Sequence, residues 1–187
     1  MVRNLSEGVR FTVPQLVEVA KRIRTALVTE LITQGVPLET YNEQGEIVKG
    51  LSPYQIKLSD WIIQAGIEGN SEIGAEICRQ AGKSESAMIS ILTLVIVFLH
   101  ILKRPYAVGI FAPAASQTIE VDRERLRDRT AQLHDYLTEC GISHDPTVGR
   151  TSSEFHYYAG KFTFLCRMKS ADPVANIKGP TLNRIIT

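Results

Sequence analysis

The consecutive residues Cys78-Arg79-Gln80-Ala81-Gly82-Lys83-Ser84 carry the side-chain types that a phosphate-binding turn requires. A glycine lets backbone N–H groups close around phosphate oxygens, a lysine after it neutralises the terminal phosphates, and a following serine hydroxyl can ligate Mg²⁺. The spacing departs from the general pattern G-x-x-x-x-G-K-[ST] at one place, because Ile77 stands where the first glycine would be. Taken without context, the same residues also suit a surface turn with an exposed lysine.

Context is what gives the turn chemical meaning. Ile73 to Cys78 reads as a short strand running into it, and Ser84 to Leu102 as a long apolar helix running out, whose positive N-terminal end would face the bound anion. A second strand is predicted at Tyr106 to Phe111, apolar enough to be buried in a parallel sheet. A charged helix follows from about Gln117 to Cys140, and Gly141 ends it. Phe155 to Arg167 reads as a hairpin around Ala159-Gly160-Lys161, and Leu182 to Thr187 has strand character. Upstream, Thr12 to Thr33 is an amphipathic helix with Thr12 as its cap and Pro14 in its first turn. Val36 to Leu51, broken by Gly45 and Gly50, reads as a hairpin or linker. Ser52-Pro53 then opens a helix that ends near Gly66 or Gly69. The order predicts an α/β fold with a largely parallel sheet flanked by helices. Residues 1–50 would form an N-terminal helix and linker, and residues 51–187 the main domain.

Composition narrows the function classes. The 187 residues are 44% hydrophobic and 22% charged, enough apolar material for a buried core. With 21 basic and 20 acidic residues the net charge is +1, so no global basic field argues for nucleic acid, although a local groove stays open. Three cysteines, Cys78, Cys140 and Cys166, lack C-x-x-C spacing and fit reduced thiols in the cytoplasm. The first residues lack the apolar core of a signal peptide. Met88 to Leu102 is nearly all apolar, but at about 15 residues it falls short of the roughly 20 that cross a bilayer. A core helix is expected there, and no membrane partner.

The run Cys78-Arg79-Gln80-Ala81-Gly82-Lys83-Ser84 resembles the variant Walker A loop of tailed-phage terminase large subunits, in which an Arg-Gln-x-Gly-Lys-Ser/Thr run commonly replaces the glycine-rich form. On that resemblance Ile77 is no anomaly. Arg79 would offset charge on the transferred γ-phosphoryl group, as a guanidinium can. Lys83 would hold the β- and γ-phosphates, and Ser84 the Mg²⁺. Gln80, Ala81, Gly82 and Glu85 would complete the ATP contacts. Pro53-Tyr54-Gln55 resembles the family's upstream element whose glutamine reads adenine, which makes Gln55 the adenine candidate. Read from the residues alone, Gln55 is equally a glutamine in a helix first turn. Val108 to Gln117 resembles the strand and loop shared with superfamily 2 helicases, and Ala175 to Pro180 the basic-Gly loop before the Walker B strand. Leu182 to Thr187 resembles that strand itself.

The resemblance covers roughly residues 51–187 and implies a P-loop NTPase fold of the RecA/helicase-like ASCE type. It implies the ATP-binding part of a viral DNA-packaging motor, a hydrolase that drives double-stranded DNA into a procapsid. The partners it implies are double-stranded DNA, a portal protein, a small terminase subunit and further copies of the chain in a ring, in the host cytoplasm. The family's Walker B aspartate and glutamate would follow Thr187, so the 187 residues are expected to bind ATP weakly and hydrolyse it negligibly. Two alternatives remain. One is a superfamily 2 helicase or translocase, which would more often show G-x-G-K-[ST] and a Pro-Thr-Arg run where Ala112-Pro113-Ala114-Ala115 stands. The other is a non-catalytic interaction domain on a P-loop scaffold.

Other residues carry less. His134, Cys140, His144 and His156 are not at zinc-ligand spacing. Asp122 to Arg129 alternates in sign and reads as a solvated helix face. Lys161, Arg167 and Lys169 are candidates for backbone phosphate contact.

Overall fold

A computed structural model describes residues 11–69, 82–112, 123–142, 145–151, 154–170 and 184–186. The chain divides into two compact units, Met1–Val97 and Phe98–Thr187.

In the first unit, α1 (Val13–Thr33) starts as its sequence predicts. Thr12 and Gln15 form a reciprocal capping box, and Pro14 occupies the first turn. Its buried stripe is Leu16, Ala20, Arg24, Leu27 and Leu31. An arginine belongs in that stripe only with a partner. The Arg24 guanidinium pairs with the Asp60 carboxylate and donates to the Ile56 carbonyl (3.2 Å), while Lys21 Nζ lies 3.6 Å from the same carboxylate. A short antiparallel hairpin follows, β1 (Glu39–Tyr41) against β2 (Ile47–Lys49). Asn42 Oδ1 turns it by accepting from the N–H groups of Gln44 and Glu46.

Two helices complete the unit. α2 (Pro53–Glu68) opens at Ser52 and closes on Gly69 in the left-handed conformation, and α3 (Lys83–Val95) opens at Gly82. Three contacts run in ascending order along both helices: Gln55 with Gly82, Ser59 with Ser90, and Gly66 with Leu94. The helices are therefore packed parallel, start beside start. Small residues make the approach close, since a Cβ added to Gly66 would lie 2.6 Å from Leu94 Cδ1. Ser59, Ser86 and Ser90 are fully buried in the same seam. The Ser90 hydroxyl donates to the Ser86 carbonyl (2.6 Å) and shares a hydrogen bond with Ser59 (2.8 Å), so neither hydroxyl is stranded.

The helix expected over Ser84 to Leu102 is present but changes pitch. After Val95 it continues as a π-helix, Ile96–Ile101, and Arg104 N–H closes it on the Phe98 carbonyl (2.8 Å), with Lys103 at φ +53°. Lys83–Ile101 makes 19 helical residues, apolar and long enough by composition to cross a membrane, so length does not dispose of that reading. Burial bears on it instead. Most of the segment (72%) is covered by the rest of the chain, as a core helix would be.

The second unit is built on a five-stranded sheet of order β4-β5-β6-β3-β7: β3 (Tyr106–Ala112), β4 (Asp145–Thr151), β5 (Glu154–Ala159), β6 (Phe162–Ser170) and β7 (Arg184–Ile186). The sheet is mixed, which corrects the expectation of a largely parallel one. Parallel pairing surrounds β3, with β6 on one side and β7 on the other, whereas β4-β5-β6 is an antiparallel meander. The hairpin around Ala159-Gly160-Lys161 is as expected and supplies the antiparallel half; β4, which contains Asp145, Pro146 and Gly149, has too few β-formers to be read from sequence. One face of the sheet is buried through Tyr106, Val108, Tyr157, Phe164 and Cys166. Phe98 stacks on Tyr106 with ring centroids 4.5 Å apart, and Tyr106 stacks in turn on Phe164 at 6.0 Å. α4 (Arg123–Glu139) buries Leu126, Thr130, Leu133 and Leu137, and exposes Glu124, Arg125, Arg127 and Asp128 as the alternating charges predict. Gly141 ends it in the left-handed conformation. The expected strand Ile73 to Cys78 lies outside the described residues.

Two tests follow from this packing. Gly66→Val should destabilise the chain by about 1–3 kcal/mol through overpacking against Leu94, and Leu94→Ala in the same chain should recover part of that loss in denaturant unfolding. Burial pushes the Tyr157 phenol well above its usual range, beside His100 Nε2 at 3.3 Å. The folded chain then holds this proton more tightly than the unfolded chain. Its contribution to stability is intact below about pH 10 and is lost as pH rises above that value. Stability measured against pH should fall on the alkaline side, with a shallower slope in Tyr157→Phe.

Candidate functional site

The site is built where α2 and α3 begin. Gly82 precedes α3 at φ +72°, ψ 19°, a left-handed conformation that L side chains rarely adopt, and it contributes no side-chain cap to the helix. α3 therefore begins at a positive helix end with no side-chain acceptor from its cap position. Lys83 is exposed and has no ion-pair partner among the described residues. Ser84 and Glu85 are half-buried beside it.

The start of α2 is made differently. Ser52 N–H and Ser52 Oγ–H both donate to Gln55 Oε1, at 2.8 and 3.0 Å, and Gln55 N–H returns to Ser52 Oγ at 3.4 Å. This is a closed capping box. The remaining end of the Gln55 side chain crosses to α3, where Nε2 donates to the Gly82 carbonyl at 3.4 Å. That carbonyl also accepts from Ser86 N–H (3.2 Å) and Ser86 Oγ (3.4 Å). A Cβ on Gly82 would sit 2.2 Å from Gln55 Nε2 and 3.8 Å from the Tyr54 hydroxyl, so Tyr54 also borders the turn.

Of the residues expected to serve one site, the fold brings Gln55, Gly82, Lys83, Ser84 and Glu85 together at adjoining helix starts. Arg79, Gln80 and Ala81 lie outside the described residues, as do Ser116, Gln117 and the loop Ala175 to Pro180. Sequence reasoning missed Ser52 and Tyr54. The signal was legible, since Ser52-Pro53-Tyr54-Gln55 has the S-x-x-Q form of a capping box with proline in the first turn. Arg184–Ile186, within the segment expected to be the Walker B strand, pairs parallel to β3 from Val108 to Ile110. Lys161 is exposed, with Nζ 5.4 Å from the Phe162 ring centroid. Among the described residues no three His, Cys, Asp or Glu side chains gather as a metal centre.

No protein-family model matches the sequence, and no curated protein or solved structure matches it significantly.

The crowding at Gly82 is testable by a double-mutant cycle. Gly82→Ala should cost about 1–2 kcal/mol for the left-handed backbone alone, and more because the new methyl meets Gln55. Gln55→Ala removes the clash but leaves the backbone term, so in chemical unfolding the pair should cost at least about 0.5 kcal/mol less than the sum of the singles.

Proposed function

We propose that this chain is the nucleotide-holding part of a DNA-packaging ATPase of the terminase large-subunit type, on a P-loop NTPase fold. The observation that carries the proposal is the start of α3: a left-handed Gly82 that brings no side-chain cap, and an exposed Lys83 followed by Ser84. This arrangement suits a terminal phosphate group, because N–H dipoles and an ammonium converge where phosphate charge is densest.

Each residue then has a defined task. Lys83 holds the β- and γ-phosphates, the N–H groups from Gly82 onward cradle them, and Ser84 offers its hydroxyl to Mg²⁺. Glu85 completes the ATP contacts after Ser84. Arg79, with Gln80 and Ala81 beside it in sequence, carries the role that the resemblance assigns, offsetting charge on the transferred phosphoryl group. Mg²⁺ supplies charge neutralisation between the β- and γ-phosphates when bound. The mixed α/β fold and the parallel pairing of β7 with β3 support the reading in general terms. Coupling to translocation of double-stranded DNA, and docking to a portal protein, a small terminase subunit and sister copies in a ring, enter the proposal through the family resemblance.

Binding is the property to measure. In titration calorimetry with MgATP the 187-residue chain should give a saturable signal, and Lys83→Ala should weaken it at least about tenfold, equivalent to about 1.4 kcal/mol. Unchanged affinity in Lys83→Ala, or no binding by the parent chain, would overturn the proposal.

A further inference from the structure

The adenine-reading role expected for Gln55 meets a constraint at Ser52. To recognise adenine through one amide, a glutamine must donate from Nε2 to a ring nitrogen and accept at Oε1 from the exocyclic N6–H. In this chain Oε1 already accepts two hydrogen bonds, from Ser52 N–H and Ser52 Oγ–H. A carbonyl oxygen has two lone pairs, and both are in use. The amide cannot be turned over to release them. A backbone N–H can only donate and the Gly82 carbonyl can only accept, so Oε1 must face Ser52 and Nε2 must face Gly82.

Freeing Oε1 for a base would also be unfavourable locally. Ser52 is buried, so its N–H would lose its partner where water does not replace it, and α2 would lose the reciprocal half of its capping box. The gain of one bond to adenine would be offset by the loss of two. What remains available is the second Nε2 N–H, which has no partner among the described residues. That donor can meet N7, an acceptor that adenine and guanine present alike.

We propose that Gln55 is a positioning residue for the phosphate turn rather than a reader of adenine. The inference rests on the phosphate-binding reading of the turn. Gln55 acts through Gly82: its bond to the Gly82 carbonyl ties the last residue before α3 to the capped start of α2, and so sets the direction in which the first N–H groups of α3 point.

The test compares MgATP, MgGTP and inorganic triphosphate with Mg²⁺ on the full 187-residue chain by calorimetry, then on Gln55→Ala. Gln55→Ala should weaken both nucleotides and inorganic triphosphate by a common factor and leave the ATP to GTP ratio unchanged. That readout separates positioning from base reading, since inorganic triphosphate has no base to lose. A preference for ATP over GTP that disappears in Gln55→Ala overturns the inference and returns base reading to that amide. Weakening of ATP alone in the variant overturns it as well. If none of the three ligands binds the parent chain, the phosphate reading itself fails and this inference goes with it, an outcome distinct from a base preference.

Discussion

The parallel contact between α2 and α3 is the constraint on which the candidate site depends. Helices adjacent in sequence can pack antiparallel across a short turn, which sets opposite dipole ends together. Here the chain between Gly69 and Gly82 separates two helices that run the same way, so two positive ends adjoin. The seam that holds them is made of small and hydroxylated residues: Ser59, Gly66, Ser86 and Ser90. Bulkier side chains there would separate the helices and carry Gln55 away from Gly82. The geometry of the turn is thus decided up to a dozen residues along the helices from the atoms that would face phosphate.

The two helix starts share a position but not a chemistry. α2 satisfies its own leading N–H groups through Ser52 and Gln55, whereas α3 begins on a glycine that brings no side-chain acceptor. On the proposed reading an anion would find its complement at α3, with the capped α2 beside it. The Arg24–Asp60 pair joins α1 to the middle of α2 with a guanidinium that is itself buried.

Within the second unit the organising element is β3. It takes parallel partners on both sides and carries Tyr106 and Val108 into the core. The antiparallel meander β4-β5-β6 attaches to it through β6, so one strand joins two styles of pairing. The mixed character could not be read from the pattern of apolar residues alone. Along β6 the buried Phe164 and Cys166 alternate with the less buried Thr163 and Leu165, but period-two alternation says nothing about which neighbour a strand takes on its far edge.

Local signals in the sequence were sufficient for most element starts and stops. Thr12-Val13-Pro14-Gln15 and Ser52-Pro53-Tyr54-Gln55 cap helices within four residues, and Gly69 and Gly141 close them, because these preferences are settled by bonds between near neighbours. The Gly82-Lys83-Ser84 turn was legible for the same reason. Tertiary structure alone decided what those elements do together: the parallel seam that brings Gln55 to Gly82, the burial of Arg24 against Asp60, and the placing of β7 beside β3. It also decided the allegiance of the Gln55 amide, since a side chain with one acceptor oxygen can serve a cap or a base but not both. Which of these it serves depends on the short-range box with Ser52 and the long-range bond to Gly82, and the second of these exists only once the chain has folded.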